Sequence, residues 1–314
     1  MSQREQSAQD ENWEVWPSLP FQEWEDTCRT LHMWTQIVGK IKLALAPHIN
    51  HWWQIPLYVS SRGLTTSALP YDAQTLALEF NLVDHVLEIR TSSGVKENVK
   101  LEPRSVADFY EEVMAKLHEV GMPVQIFTQP VEVAEAIPFE EDYEHSSYDQ
   151  EYVERFWRAL THIDRVFTQF RGRFIGKASP VQFFWGSFDL AVTRFSGRTA
   201  PPHPGGIPNV ADWVMHEAYS HELSSAGWWP GGQGIDAAFY SYAYPEPEGF
   251  SQAAIDPEAA YYHQDLNEFV LRYEDVRQAE HPDEMLIDFL QSTYEAAAEL
   301  RNWDRAALER GKGD

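Results

Sequence analysis

Residues 180–198 read PVQFFWGSFDLAVTRFSGR, and the alternation along this stretch is the strongest guide to the fold. Taken every second residue, Phe184, Phe188, Leu190 and Val192 form one apolar row, as one face of a single long strand would. The other row is mixed: Phe183, Trp185, Ser187, Asp189, Ala191 and Thr193. A carboxylate set between an aromatic ring and hydroxyls in so apolar a strand must find partners or face water. Such a strand serves as the wall of a ligand site, with Trp185, Ser187 and Asp189 facing the ligand.

Working outward, helical and strand-like segments are grouped in clusters. The apolar spacing of Phe21, Trp24, Leu31, Trp34, Ile37, Val38 and Ile41 predicts a helix from about Pro20 to Leu45. Strand patterns follow from His51, Thr75 and His85, then a helix from Ser105 that Gly121 closes, then a strand from Pro123. Residues 131–149 are rich in acid and proline, contain no Lys or Arg, and read as a linker or surface belt. A helix over 151–173 precedes the opening stretch, strands are expected near 218–229, 237–244 and 268–273, and a last helix over 283–300. The expectation is an α+β fold of antiparallel strands with flanking helices. Its two helix–sheet–helix halves, residues 16–130 and 150–310, pack as one compact unit after a polar tail at 1–15.

Composition narrows the function. The chain has 314 residues, 43% of them hydrophobic and 14% aromatic, which suits a globular fold with an ample core. Its 49 acidic against 24 basic side chains give a net charge of −25, which argues against nucleic-acid and anionic-membrane partners. The lone Cys28 excludes an internal disulfide framework and multi-cysteine zinc sites. No signal-peptide pattern or membrane-spanning run is evident, so a cytoplasmic protein is expected.

The one tempting motif is HEAYSHE at 216–222. Zinc proteases need two histidines four apart on a helix; here they are five apart, and the flanks read as strand. What survives is His221 beside Glu222, a candidate general base or half of a mononuclear metal site with His203. The loop before it holds Pro201, Pro202, Pro204 and Pro208 with Gly205 and Gly206, a composition suited to a cover over a site. Arg194 and Arg198 at its start are candidates for clamping an anionic group. GWWPGGQG from Gly227 lacks the Gly-Lys-Ser/Thr ending of a phosphate loop and reads as a wide hairpin turn. Tyr240, Tyr242 and Tyr244 share one strand face, which makes Tyr240 a further candidate ligand contact. Two helical polar stripes, His32–Gln36–Lys40 and Gln291–Glu295, could hydrogen-bond a ligand or each other if they face inward, but read more simply as solvated faces.

Several strings together carry a resemblance: HMWTQIVGKIKLAL from His32, NHWWQIPLYV from Asn50, PRSVADFYEEVMA from Pro103, FFWGSFDLAVTRFSGR from Phe183 and FLQSTYEAAAEL from Phe289. They resemble an uncharacterised bacterial family known as domain of unknown function 5996, over about Trp16 to Arg310. The resemblance implies a soluble bacterial protein whose halves form one family unit, and it implies no catalytic residue. From the residues themselves the leading expectation is a binding protein or enzyme for a small polar or planar molecule. His221 or Glu222 would act as base, Asp189 would fix a donor, and Arg194 or Arg198 would orient the ligand. The alternatives are an acidic protein–protein interaction module and a His/carboxylate metal protein; no cofactor or oligomeric state is indicated.

Overall fold

The computed structural model describes residues 14–232 and 234–311, so most of the expected N-terminal tail lies outside the described residues. The fold is α+β, with two antiparallel sheets. Helix α1 (Phe21–Leu45) precedes the first sheet, which contains β1 (Tyr58–Ser60), β2 (Gly63–Thr65), β3 (Leu69–Tyr71), β4 (Gln74–Asn81), β5 (Val86–Thr91) and β6 (Lys96–Lys100). Its path is β1-β2-β4-β5-β6, with β3 paired to β4. Helix α2 (Val106–Glu119) follows, capped by Ser105 Oγ, which accepts from the Asp108 N–H at 3.0 Å.

Helix α3 (Gln150–Gly172) starts where Asp149 accepts the backbone N–H groups of Glu151 and Tyr152. The second sheet then forms from β7 (Gln182–Phe184), β8 (Asp189–Thr199), β9 (His221–Gly232), β10 (Ile235–Tyr244), β11 (Tyr261–His263) and β12 (Glu268–Arg272), in the order β11-β12-β10-β9-β8-β7. Helix α4 (Asp212–Ala218) lies between β8 and β9; α5 (Tyr273–Arg277) and α6 (Pro282–Leu300) follow the sheet. Helix α1 touches strands of both sheets, and one continuous hydrophobic cluster takes in both. Its centre is aromatic: Trp34 stacks on Phe109 at 4.5 Å, and Phe156 stacks on Phe188 at 5.4 Å and on Trp228 at 5.9 Å.

Several local expectations need correction. Residues 180–198 form a hairpin, not one strand: Trp185–Phe188 make its turn, and Phe184 pairs with Asp189. The turn changes the parity, so Phe183 joins Leu190 and Val192 on the helix-facing side, all fully buried. Phe188 adopts φ 58° there and turns its ring into the core. His216 belongs to helix α4, and only the end of HEAYSHE is strand. Residues Gly227–Gly232 continue β9 instead of making the expected turn. No strand forms at 123–128. The acidic segment 131–149 runs against the fold as a strap: Phe139 is fully buried, and Asp142 accepts from the Glu144 and His145 backbone.

Candidate functional site

The second sheet has two unlike faces. Leu190, Val192, Ala226, Trp228, Phe239 and Leu271 cover the side toward the helices. Ala191 pairs with Gly227, Gly227 with Tyr240, and Tyr240 with Val270, so these positions share the opposite face. By the two-residue period Asp189, Thr193, Ser225, Tyr242 and Glu268 stand on that face too. It is a polar face on largely apolar strands.

Asp189 is its centre. Its two oxygens accept from Ser187 Oγ and from the Tyr240 hydroxyl. Burial raises its pKa, and those two hydroxyls work in the opposite direction. Tyr240 reaches Asp189 because Gly227 has no side chain: a β-carbon there would stand 2.3 Å from the Tyr240 hydroxyl. Alongside, Tyr219 and Tyr242 join their hydroxyls at 2.7 Å, and Thr193 meets Ser225 at 2.9 Å. Burial raises Tyr219 to about 12 and lifts Tyr240 and Tyr242 well above the ordinary phenol value, so all three are neutral donors at physiological pH.

Two further carboxyls belong to this cluster, and sequence reasoning missed both. Glu268 stands on β12 beside the Phe269–Ser241 pair. Burial, then the charge of Asp189, raises its pKa to about 8. Glu132 comes from the strap with φ 60°, its N–H donating to the Pro208 carbonyl at 2.8 Å. As a whole residue Glu132 is exposed, while its Oε1 is set against Gly186, where a β-carbon would stand 2.2 Å away. Burial and then Asp189 raise its pKa to about 7. Among the described residues no Lys or Arg acts on any of the three acids. No signal within the strap itself marks Glu132, because its neighbours come from chain far away.

The strap is fixed from below. Gln36 of α1 donates to the Val131 carbonyl and accepts the Val131 N–H, both at 2.9 Å. The stripe His32–Gln36–Lys40 therefore faces inward: Gln36 is fully buried and Lys40 is 5% exposed. From above, Asn209 donates to the Val133 carbonyl at 3.0 Å, joining the proline-rich loop to the strap.

The remaining expected site residues are spread out. Trp185 is buried in the hairpin turn, its indole N–H donating to the Ile55 carbonyl at 2.9 Å and its ring lying on Gly39. Arg194 is on the helix-facing side, 1% exposed, with its guanidinium 3.5 Å from the Phe170 ring centre and 4.3 Å from that of Tyr294. Burial lowers it to about 9, and it does not reach the Asp189 face. Arg198 donates to Glu222 at 2.9 and 2.6 Å, and Arg301 adds a bond at 2.8 Å. Glu222 is thus a carboxylate held by two guanidiniums, on the opposite face from Asp189. His203 lies tilted against Tyr219 with ring centres 4.5 Å apart and accepts the Gly205 N–H. His221 pairs with Thr199, while Leu190 pairs with Trp228. At ~3.3 Å per residue, His221 stands roughly 25 Å along the strand from Asp189, so the two do not share a site.

Among the described residues no group of three or more His, Cys, Asp or Glu is arranged to hold a metal ion. None of the described helices is long and apolar enough to cross a membrane. A recess of about 520 Å³ beside α2 is lined by Glu102, Arg104, Asp108, Glu111, Glu112 and Ala115. Arg104 there already pairs with Glu112, and the recess has no aromatic wall.

A family model described as a family of unknown function, DUF5996, matches residues 16–310. No curated protein and no solved structure matches the chain.

Proposed function

The chain belongs to the DUF5996 family, whose function is unknown, and from its own residues we propose that it binds a small organic cation on the tyrosine face of the second sheet. The occupant is a protonated amine or a quaternary ammonium. One observation carries the reading: Asp189 is held by the hydroxyls of Ser187 and Tyr240, its charge reaches Glu132 and Glu268, and among the described residues no basic side chain acts on any of the three acids. Like charges crowded together keep protons that a cation would displace, and ring faces attract the same cation. The small polar or planar molecule anticipated from sequence would have had an anionic group oriented by Arg194 or Arg198, and both arginines are engaged elsewhere.

If the bound molecule is also transformed, Glu132 is the best-suited general acid–base, with a pKa near neutrality. Glu222 is poorly suited, since Arg198 occupies its Oε2 and Arg301 its Oε1.

The test is a calorimetric titration with tetramethylammonium and propylammonium, each beside a neutral isostere. The cations should bind saturably and at least about tenfold tighter than the isosteres, with Asp189→Asn losing about tenfold. Affinity should rise from about pH 6 to about pH 9 as Glu132 and Glu268 ionise. Equal affinity for a cation and its neutral isostere would overturn the proposal.

A further inference from the structure

A second cluster stands at the other end of β9, outside the cation site. His51 and Trp52, neither a glycine, both take left-handed backbone conformations, φ 59° and 62°. Such a turn persists only where its surroundings hold it. What it delivers is the His51 ring, 5% exposed, its Nδ1 lying 3.0 Å from the Ala218 carbonyl. A carbonyl only accepts, so Nδ1 carries the proton. Nε2 of the neutral ring is left to accept from the Lys177 ammonium at 2.7 Å. Burial lowers the pKa of His51, in keeping with the neutral form.

Among the described residues Lys177 has no carboxylate partner, although the chain carries 49 acidic residues. Glu217, the acid whose charge acts on His51, is taken by His48 at 3.0 and 3.1 Å. In place of a carboxylate the ammonium has two rings, Trp53 and Phe195, each centred 5.3 Å away. His221 completes the group, its ring 5.6 Å from that of His51, with Nδ1 3.0 Å from Ser220 Oγ. Lys177 retains two N–H donors beyond the one given to His51, and His221 retains Nε2. Trp53 is only half-buried and flanks them.

From this juxtaposition we propose that Lys177 and His221, organised by His51, bind the oxyanion of a small planar ligand, a phosphate ester or a carboxylate, whose flat body rests on Trp53. The His51 tautomer is set by Ala218, so one Lys177 N–H is fixed toward the imidazole and the others are turned outward. His51 is a positioning residue here, and the ligand contacts are Lys177, His221 and Trp53. Net protein charge does not prevent this, since fields from distant surface acids are screened beyond roughly 8 Å at physiological salt.

The experiment titrates the full chain at neutral pH with inorganic phosphate, phenyl phosphate and benzoate, following the His51 and His221 ring resonances. Saturable shifts of both rings are expected, with phenyl phosphate binding at least about tenfold tighter than inorganic phosphate because it adds the stacked ring. Comparing phenyl phosphate with benzoate identifies which oxyanion is preferred. Lys177→Met should weaken binding at least about tenfold, while Lys177→Arg, which keeps the charge, should stay within about threefold. Lys177 is exposed, so neither variant threatens the core. Unmoved histidine resonances, or a Lys177→Met variant that binds like the parent, would overturn the proposal. Neither result bears on the cation site, which shares none of these residues.

Discussion

Gly227 shows how far the cation site depends on one missing side chain. A β-carbon at this position would stand 2.3 Å from the Tyr240 ring, so Gly227→Ala must push the ring away and take its hydroxyl from Asp189. Two costs combine: overpacking at about 1–3 kcal/mol, and a buried carboxyl that loses one of its donors at about 1–3 kcal/mol. The urea midpoint of Gly227→Ala should fall accordingly. Tyr240→Phe, which loses the hydrogen bond without overpacking, should fall less. A Gly227→Ala protein as stable as the parent would mean that the ring does not lie over the backbone there. Asp189 was legible in the sequence because it interrupts an apolar strand, and Tyr240 because it shares one strand face with Tyr242 and Tyr244. Glu132 and Glu268 were not, since an acid in an acidic segment looks solvated until the fold brings other acids beside it.

At the scale of elements, the strap depends on helix α1. Gln36 meets both backbone groups of Val131, much as a neighbouring strand would, and Glu132 follows directly. Gln36→Leu leaves a peptide N–H and a C=O without partners, at about 1–3 kcal/mol. Because ~1.4 kcal/mol is a factor of ten in an equilibrium, amide exchange at Val131 and Glu132 should quicken by about ten- to a hundredfold. Cation affinity should fall with it, while exchange in β8 and β10 stays slow. If exchange in β8 rises equally, α1 supports the sheet and not the strap in particular. The sequence allowed an inward stripe but favoured a solvated one, because a helix reveals which residues share a face and not what lies opposite. The hairpin at 185–188 was hidden for a related reason. Its turn is built from Trp185, Gly186, Ser187 and Phe188, whose aromatics continue the apolar rhythm of the strands on either side. The element order, helix then strands then helix in each half, was readable, because caps such as Ser105 and Asp149 and long apolar periods act locally.

For the whole molecule, the acid cluster predicts how stability changes with pH. Glu132 and Glu268 titrate in the folded protein near 7 and 8, against 4.5 for an ordinary glutamate. Between those values the folded state holds protons that the unfolded state has released, so stability falls as pH rises through this window. His32 works in the other direction: burial lowers it to about 4 from 6.5, and its contribution is recovered as pH rises to about 6.5. Lys40 and Lys42, lowered to about 8 by burial, favour the folded state increasingly only above that pH. From about pH 6.5 upward His145, whose pKa the Asp142 hydrogen bond raises, acts in the same direction as the carboxyls and does so in parent and variant alike, and the melting temperature should decline from there to about pH 8. Glu268→Gln stays neutral throughout, so its decline should be shallower than the parent's and its stability at about pH 8 higher. A saturating organic cation should flatten the parent curve in the same way, because it supplies the charge that the three carboxyls lack. Parallel curves for the parent and Glu268→Gln would show that Glu268 ionises as it does in the unfolded chain, and the cluster would then have no unmet negative charge to offer a ligand.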